Sequence, residues 1–271
     1  MTIARIEQRF ATLKQQKRAG LVTFTMAYDP EYATSLSIIE QLPEAGADII
    51  EIGMPFSDPM ADGPSIAKAG QRALKAGAKL AGVLKMVREF RQKDQETPVI
   101  LMGYINPLFH YGYERFAKDA REAGIDGMIM VDLPPEEDEE LYNALQAEKL
   151  ALVKLVTPTT DENRLKVILQ KASGFLYYVS VAGITGTKSA TNTSISQALA
   201  LFRKATQLPI VVGFGIKTPE QAAEVAKLAD GVVVGSALVR EIENNLGQSE
   251  QAQNAVLQLT KSLAMSVQGT H

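Results

Sequence analysis

Two carboxylates on one short stretch invite a chemical reading. In IIEIGMPFSDPMADGP (residues 49–64) an apolar run carries Glu51, and eleven residues later Asp62 sits in a loop with Pro55, Pro59, Gly53, Gly63 and Asp58. A charged glutamate inside an apolar strand costs several kcal/mol unless it is paired or protonated. Protonation means a raised pKa, and a carboxyl poised near neutrality is what general acid–base chemistry uses. The structural alternative is a rim glutamate satisfied by a neighbouring donor.

The glycines give a second signal. VVGFG holds Gly213 and Gly215, VVVGS holds Gly235 and Ser236, and Gly183 and Gly186 follow an earlier apolar run. Glycine lets backbone N–H groups approach an anion closely. A helix opening at Ser236 would aim its positive end at the same place. Other polar residues at the ends of apolar runs are Asn106, Asp132, Tyr177, Tyr178 and Thr185. Tyr104, Tyr111 and Tyr113 could stack a ring, but packing in the core or at the rim is the reading their positions favour. Lys154, inside an apolar run, leaves a Schiff-base aldolase open on spacing alone.

Several chemistries lack their residues. The histidines are His110 and His271, cysteine is absent, and no His/carboxylate set has metal-ligand spacing. There is no GxSxG elbow, and no GxGxxG opens a helix after the first strand. A net charge of −3 gives no electrostatic footprint for nucleic acid. No stretch approaches the roughly 20 apolar residues of a membrane span, and the first twenty residues lack a signal peptide's apolar core. A cytoplasmic location is expected. The residues alone suggest a small phosphate-bearing substrate handled by carboxylates, with proton transfer and bond rearrangement.

Eight short apolar runs must position these groups. They are Leu21–Ala27, Ile49–Ile52, Val99–Met102, Gly127–Val131, Ala151–Leu155, Phe175–Val179, Ile210–Val212 and Gly231–Val234. Segments of helical spacing separate them. Continuous apolar strands alternating with helices imply a parallel sheet covered on both faces, and eight such units predict a closed (β/α)8 TIM barrel, one domain over residues 1–271. An extra N-terminal helix, with Ile3, Ile6, Phe10 and Leu13 on one face, should cap the barrel's bottom or side. Asp29-Pro30-Glu31 reads as an N-cap with proline at the first helical position, and Thr218-Pro219-Glu220-Gln221 as a capping box. The acidic run 136–140 reads as a solvated first helical turn. AGITGTKSATNTS, after the sixth run, has the length and composition of a lid or binding loop.

The motifs also carry a resemblance. EIGMPFSDPMADGP resembles the signature of the tryptophan synthase alpha chain family, and the likeness continues through MAYDP, MGYINP, VDLPPEE, YYVSVAGITG, VVGFGIKTPEQ and VVVGSALV in order and spacing. The resemblance implies a lyase that splits indole-3-glycerol phosphate into indole and D-glyceraldehyde 3-phosphate. It implies that Glu51 is the general acid–base, that Asp62 holds the indole N–H, and that Tyr177 stands beside the catalytic glutamate. Thr185 would be the lid threonine that meets the aspartate. Gly186, Gly213, Gly215, Gly235 and Ser236 would cradle phosphate. It further implies no cofactor in this chain and a partner beta chain carrying pyridoxal phosphate in an alpha2beta2 heterotetramer. The partner would be met by the loop around Pro55–Asp58, with an exposed Phe56 as anchor, and by the region near Asn106 and Pro107. Val181 and Ala182 stand where some relatives carry Arg and Ser, which bears on the lid rather than on the reaction class. The rival readings are another phosphosugar enzyme on the same barrel, an isomerase or aldolase, and a non-catalytic subunit that activates its partner.

Overall fold

The computed structural model describes residues 2–180, 192–213 and 215–269, Thr2 in its backbone alone. Helix α1 (Thr2–Gln15) precedes β1 (Gly20–Met26) and α2 (Tyr32–Gln41). β2 (Ile49–Gly53) leads into α3 (Pro64–Lys75) and α4 (Leu80–Arg91), and β3 (Val99–Gly103) into the short α5 (Ile105–Tyr111) and α6 (Tyr113–Ala123). Then come β4 (Gly127–Met130), α7 (Glu139–Ala147), β5 (Ala151–Val156), α8 (Glu162–Leu169), β6 (Leu176–Val179) and α9 (Asn192–Ala205). β7 (Ile210–Gly213), α10 (Pro219–Ala226), β8 (Gly231–Val234), α11 (Ser236–Asn244) and α12 (Ser249–Gln268) complete the described order. Each strand pairs in parallel with the next, and β8 returns to β1, so the sheet closes as an eight-stranded TIM barrel.

Alternation along each strand sorts the side chains into two layers. Val22, Ile49, Ile100, Ile129, Ala151, Val153, Phe175, Tyr177, Val211 and Val233 fill the lumen. Their neighbours Ile50, Ile52, Leu101, Met128, Leu152, Tyr178 and Val232 face the helix layer. Helix α1 sends Ile6, Phe10 and Leu13 into the lumen cluster, so its apolar face plugs one end of the barrel, as its spacing predicts. That end is the N-terminal one. Asp126, just before β4, receives Arg5 of α1 at 2.9 Å and Arg91 at 2.8 Å, and its carboxylate also accepts the Val99 N–H at 2.8 Å. Asp48, just before β2, receives both terminal nitrogens of Arg18 at 2.8 Å and the Leu21 N–H at 2.9 Å.

Three local expectations change. Glu31, not Asp29, caps α2, accepting from the N–H groups of Ala33 and Thr34, and Pro30 lies outside the helix. Asp29 is unavailable because Arg72 grips both its oxygens at 2.7 and 2.9 Å in the interior. In the acidic run Asp138 is fully buried rather than solvated, paired with Lys154 and with Lys171 at 2.7 Å. Phe56 is half-buried and stacks on Tyr104, ring centroids 5.2 Å apart, instead of standing free as an anchor. The Thr218 cap holds, its hydroxyl accepting the Gln221 N–H at 3.3 Å, while Gln221 reaches back to the Lys217 N–H rather than to Thr218.

Candidate active site

Glu51 is the middle residue of β2, flanked by the outward Ile50 and Ile52, so the pleat turns it into the lumen. It is 1% exposed, and among the described residues neither carboxyl oxygen has a hydrogen-bond partner. The rim glutamate satisfied by a neighbouring donor is therefore not what the barrel contains. Burial pushes the Glu51 carboxyl up to about 8, so it is a neutral acid at pH 7. Tyr177, inward on β6, is close enough that the charge of Glu51 raises its phenol further, on top of burial.

Tyr177 also explains a glycine. A Cβ on Gly213, at the end of β7, would collide with the Tyr177 hydroxyl. Gly235 is small for a similar reason, since a Cβ there would lie 3.1 Å from that of Phe24 on β1. Gly215 has φ +84°, a conformation side chains rarely adopt. Helix α11 does open at Ser236, and Gly235 supplies no side-chain cap, which leaves the first-turn N–H groups pointing out of the helix end. Ser180, which sequence reasoning passed over, buries its hydroxyl against the Gly213 carbonyl at 2.9 Å and donates its N–H to the same oxygen at 3.1 Å. Nothing in the string SVAG marks that role, because the acceptor lies on the neighbouring strand.

Asp62 lies just ahead of α3, half-buried. Burial pushes its carboxyl up to about 6, with the Tyr104 hydroxyl opposing the shift. Tyr104 is buried, so rim packing describes it, yet its hydroxyl also accepts the Ala61 N–H at 3.0 Å. Asp132 accepts the Ile105 N–H at 2.9 Å and thereby holds the start of α5. Asn106 is exposed. Tyr178 turns outward onto Phe202 of α9, centroids 5.4 Å apart, and so leaves the site to Tyr177. Thr185 and Gly186, with Val181, Ala182 and Gly183, lie outside the described residues. The structure thus brings Glu51, Tyr177 and Gly213 together in the lumen and sets Asp62 beside Tyr104 at the end of β3.

Lys154 faces the other way. Its β5 neighbours Val153 and Leu155 belong to the lumen cluster, whereas Lys154 pairs with Asp138 in the helix layer. A lumen Schiff base on this lysine is removed by geometry.

A closed parallel barrel with a buried acid in its lumen has the architecture of TIM-barrel enzymes, in which chemistry gathers where strands end. Comparison with known proteins narrows this. The family model for the tryptophan synthase alpha chain matches residues 10–268. A tryptophan synthase alpha chain of Caulobacter vibrioides is 55% identical over 98% of this chain and 97% of its own length. The crystal structure of tryptophan synthase subunit alpha from Legionella pneumophila superposes with a TM-score of 0.91 at 43% identity, covering 97% of this chain and 98% of that one. An open form of tryptophan synthase from M. tuberculosis gives 0.86 at 31% identity, covering 97% and 98%. The chain belongs to the tryptophan synthase alpha chain family, a lyase family whose alpha subunit cleaves indole-3-glycerol phosphate in tryptophan biosynthesis.

Proposed function

We propose that Glu51 is the general acid–base and Asp62 the anionic partner of the ring nitrogen in the retro-aldol cleavage of indole-3-glycerol phosphate. The observation that carries this reading is the Glu51 carboxyl, buried without a partner among the described residues and held up to about 8 by burial. At pH 7 it has a proton to give, and its target is indole C3. Protonation there breaks the aromaticity of the pyrrole ring and puts positive charge on the nitrogen. Asp62, with a carboxyl near 6, is mostly ionised at pH 7 and meets that charge at the N–H. The charge exists only after protonation, so the attraction favours the transition state over the ground state. Glu51, now a carboxylate, takes the proton of the glycerol hydroxyl as the carbon–carbon bond breaks. The bond's electron pair restores the indole, and the hydroxyl carbon leaves as the aldehyde of D-glyceraldehyde 3-phosphate. Tyr177 stands beside the acid. Gly213, Gly215, Gly235 and Ser236 cradle the phosphate, whose remote binding orients the reacting bond. Thr185 and Gly186 complete the lid side in the same reading.

We further infer that residues 1–271 work as one barrel domain in the cytoplasm, without a cofactor of their own, beside a beta chain that carries pyridoxal phosphate. Among the described residues, no helix is long and apolar enough to cross a membrane. Support for a partner comes from the two rim segments. Met60, in the loop after β2, is 74% exposed, and Phe109, on α5, is 66% exposed. Two large apolar side chains left in water on neighbouring βα connections suit a protein interface better than Phe56 does.

The decisive variant is Glu51→Gln. It keeps the shape and removes the proton, so indole formation should fall by about a thousandfold, within the range for general acid–base groups. Affinity for glycerol 3-phosphate should stay within about tenfold, or 1.4 kcal/mol. An unchanged rate of indole release would refute the role given to Glu51. In the unaltered chain, the rate should follow a bell between about pH 6, where Asp62 ionises, and about pH 8, where Glu51 loses its proton.

A further inference from the structure

The loop that carries Asp62 is poorly attached. Ser57, Asp58, Met60 and Ala61 are exposed. Within it the Met60 N–H donates to the Asp58 carbonyl at 2.9 Å and the Asp62 N–H to the Pro59 carbonyl at 3.1 Å, bonds that shape the loop without tying it to anything. Among the described residues, the hydrogen bonds that leave residues 55–62 for the body of the protein meet at the Tyr104 hydroxyl, which accepts the Ala61 N–H at 3.0 Å and donates to the Asp62 carboxyl. The same tyrosine ring stacks on Phe56 near the loop's other end, centroids 5.2 Å apart and planes at 29°. Tyr104 itself is held on both sides. The Gly103 carbonyl accepts the Val131 N–H at 3.0 Å, and the Ile105 N–H donates to Asp132 at 2.9 Å.

We propose that Tyr104 is the positioning residue for Asp62: a rigid peg at the end of β3 that grips the loop at Phe56 and at Ala61 and so aims the carboxylate into the barrel mouth. The inference rests on the role given to Asp62 above. A loop held through a single side chain would, without it, sample orientations in which the carboxylate misses the ring nitrogen, and small misplacements of a reacting or stabilising group cost up to about a hundredfold in rate. Among the described titratable groups the one acting on Asp62 is Tyr104, while Asp132 in turn acts on the Tyr104 phenol. Because the hydroxyl strengthens the acidity of Asp62, its removal should raise the pH at which Asp62 ionises.

The test is Tyr104→Phe in the full chain, assayed with a tryptophan synthase beta chain present. This variant keeps the ring and its stack on Phe56 and removes the hydroxyl. We expect kcat to fall about ten- to a hundredfold, glycerol 3-phosphate affinity to stay within about threefold, and the acid limb of the rate profile to move to higher pH. A purely structural role would lower the melting temperature without moving that limb. Asp62→Asn is run beside it. If Asp62→Asn is inactive while Tyr104→Phe keeps the normal kcat and acid limb, the proposal is overturned. If Asp62→Asn keeps full activity, the reading of Asp62 fails first and the proposal with it. A measurement that needs no variant is amide hydrogen exchange. The Ala61 N–H should exchange at least about tenfold more slowly than those of Ser57 and Asp58, as a bonded amide does against free neighbours. Equal rates would show that the tether does not hold.

Discussion

At the N-terminal end of the barrel, Asp126 and Asp48 each sit among donors: two arginines and a backbone N–H for the first, a bidentate arginine and a backbone N–H for the second. Midway along β2, Glu51 is as deeply buried and has no donor among the described residues. Both places put carboxyls in low dielectric, yet they answer the cost differently. Below, the carboxyls are surrounded by donors, which fastens α1 and the turn after it to the barrel through Arg5 and Arg18. Above, the charge is given up, and the neutral acid is left with a proton to transfer. The carboxyls that hold the fold are saturated, whereas the one proposed to do chemistry is left wanting.

Three substitutions would sharpen or break that contrast. The largest effect should come from Asp126→Ala, which strands Arg91 in the interior. Breaking a buried pair from one side costs about 3–5 kcal/mol. Chemical denaturation should show that loss, while kcat of the folded protein stays within about twofold. Glu51→Gln should do the reverse and stabilise. A carboxyl raised from 4.5 to about 8 in the folded chain keeps its proton where the unfolded chain has lost it, so the native state loses ground as pH rises through that window. The variant, which cannot ionise, should therefore gain over the parent by up to about 1.4 kcal/mol per pH unit between those limits. Melting curves at pH 5 and pH 8 measure this, and an equal gap at both would contradict the buried neutral acid. The smallest effect belongs to Lys68→Ala. Its pair with Glu243 at 3.1 Å is mostly exposed on the lysine side, so the change should stay below about 1 kcal/mol.

How much of this is legible in the chain follows from the range of each interaction. The eight strands announce themselves because a strand buried on both faces needs consecutive apolar residues, and β4, GMIM, or β8, GVVV, can hardly be anything else. Glu51 stands out because it interrupts such a run. The misreadings share a different origin. Asp29 looks like a cap until Arg72, 43 positions on, takes both its oxygens. Asp138 looks solvated until Lys154 and Lys171 arrive from β5 and from beyond α8. Tyr104 and Phe56 are ordinary rim aromatics in the string and become partners only when β2 and β3 lie side by side. Local pattern carries the scaffold and the odd residue within it, and partners far apart along the chain emerge only with folding.

The apolar face of α1 lies beneath the acid. Ile6, Phe10 and Leu13 close the lower opening with apolar side chains that pack against the lumen residues beneath Glu51. In the mechanism proposed above, the hydrogen that the acid hands to the ring is returned by the sugar's own hydroxyl. The acid then ends the turnover as it began, because the aldehyde fragment gives back the proton that the indole carried off.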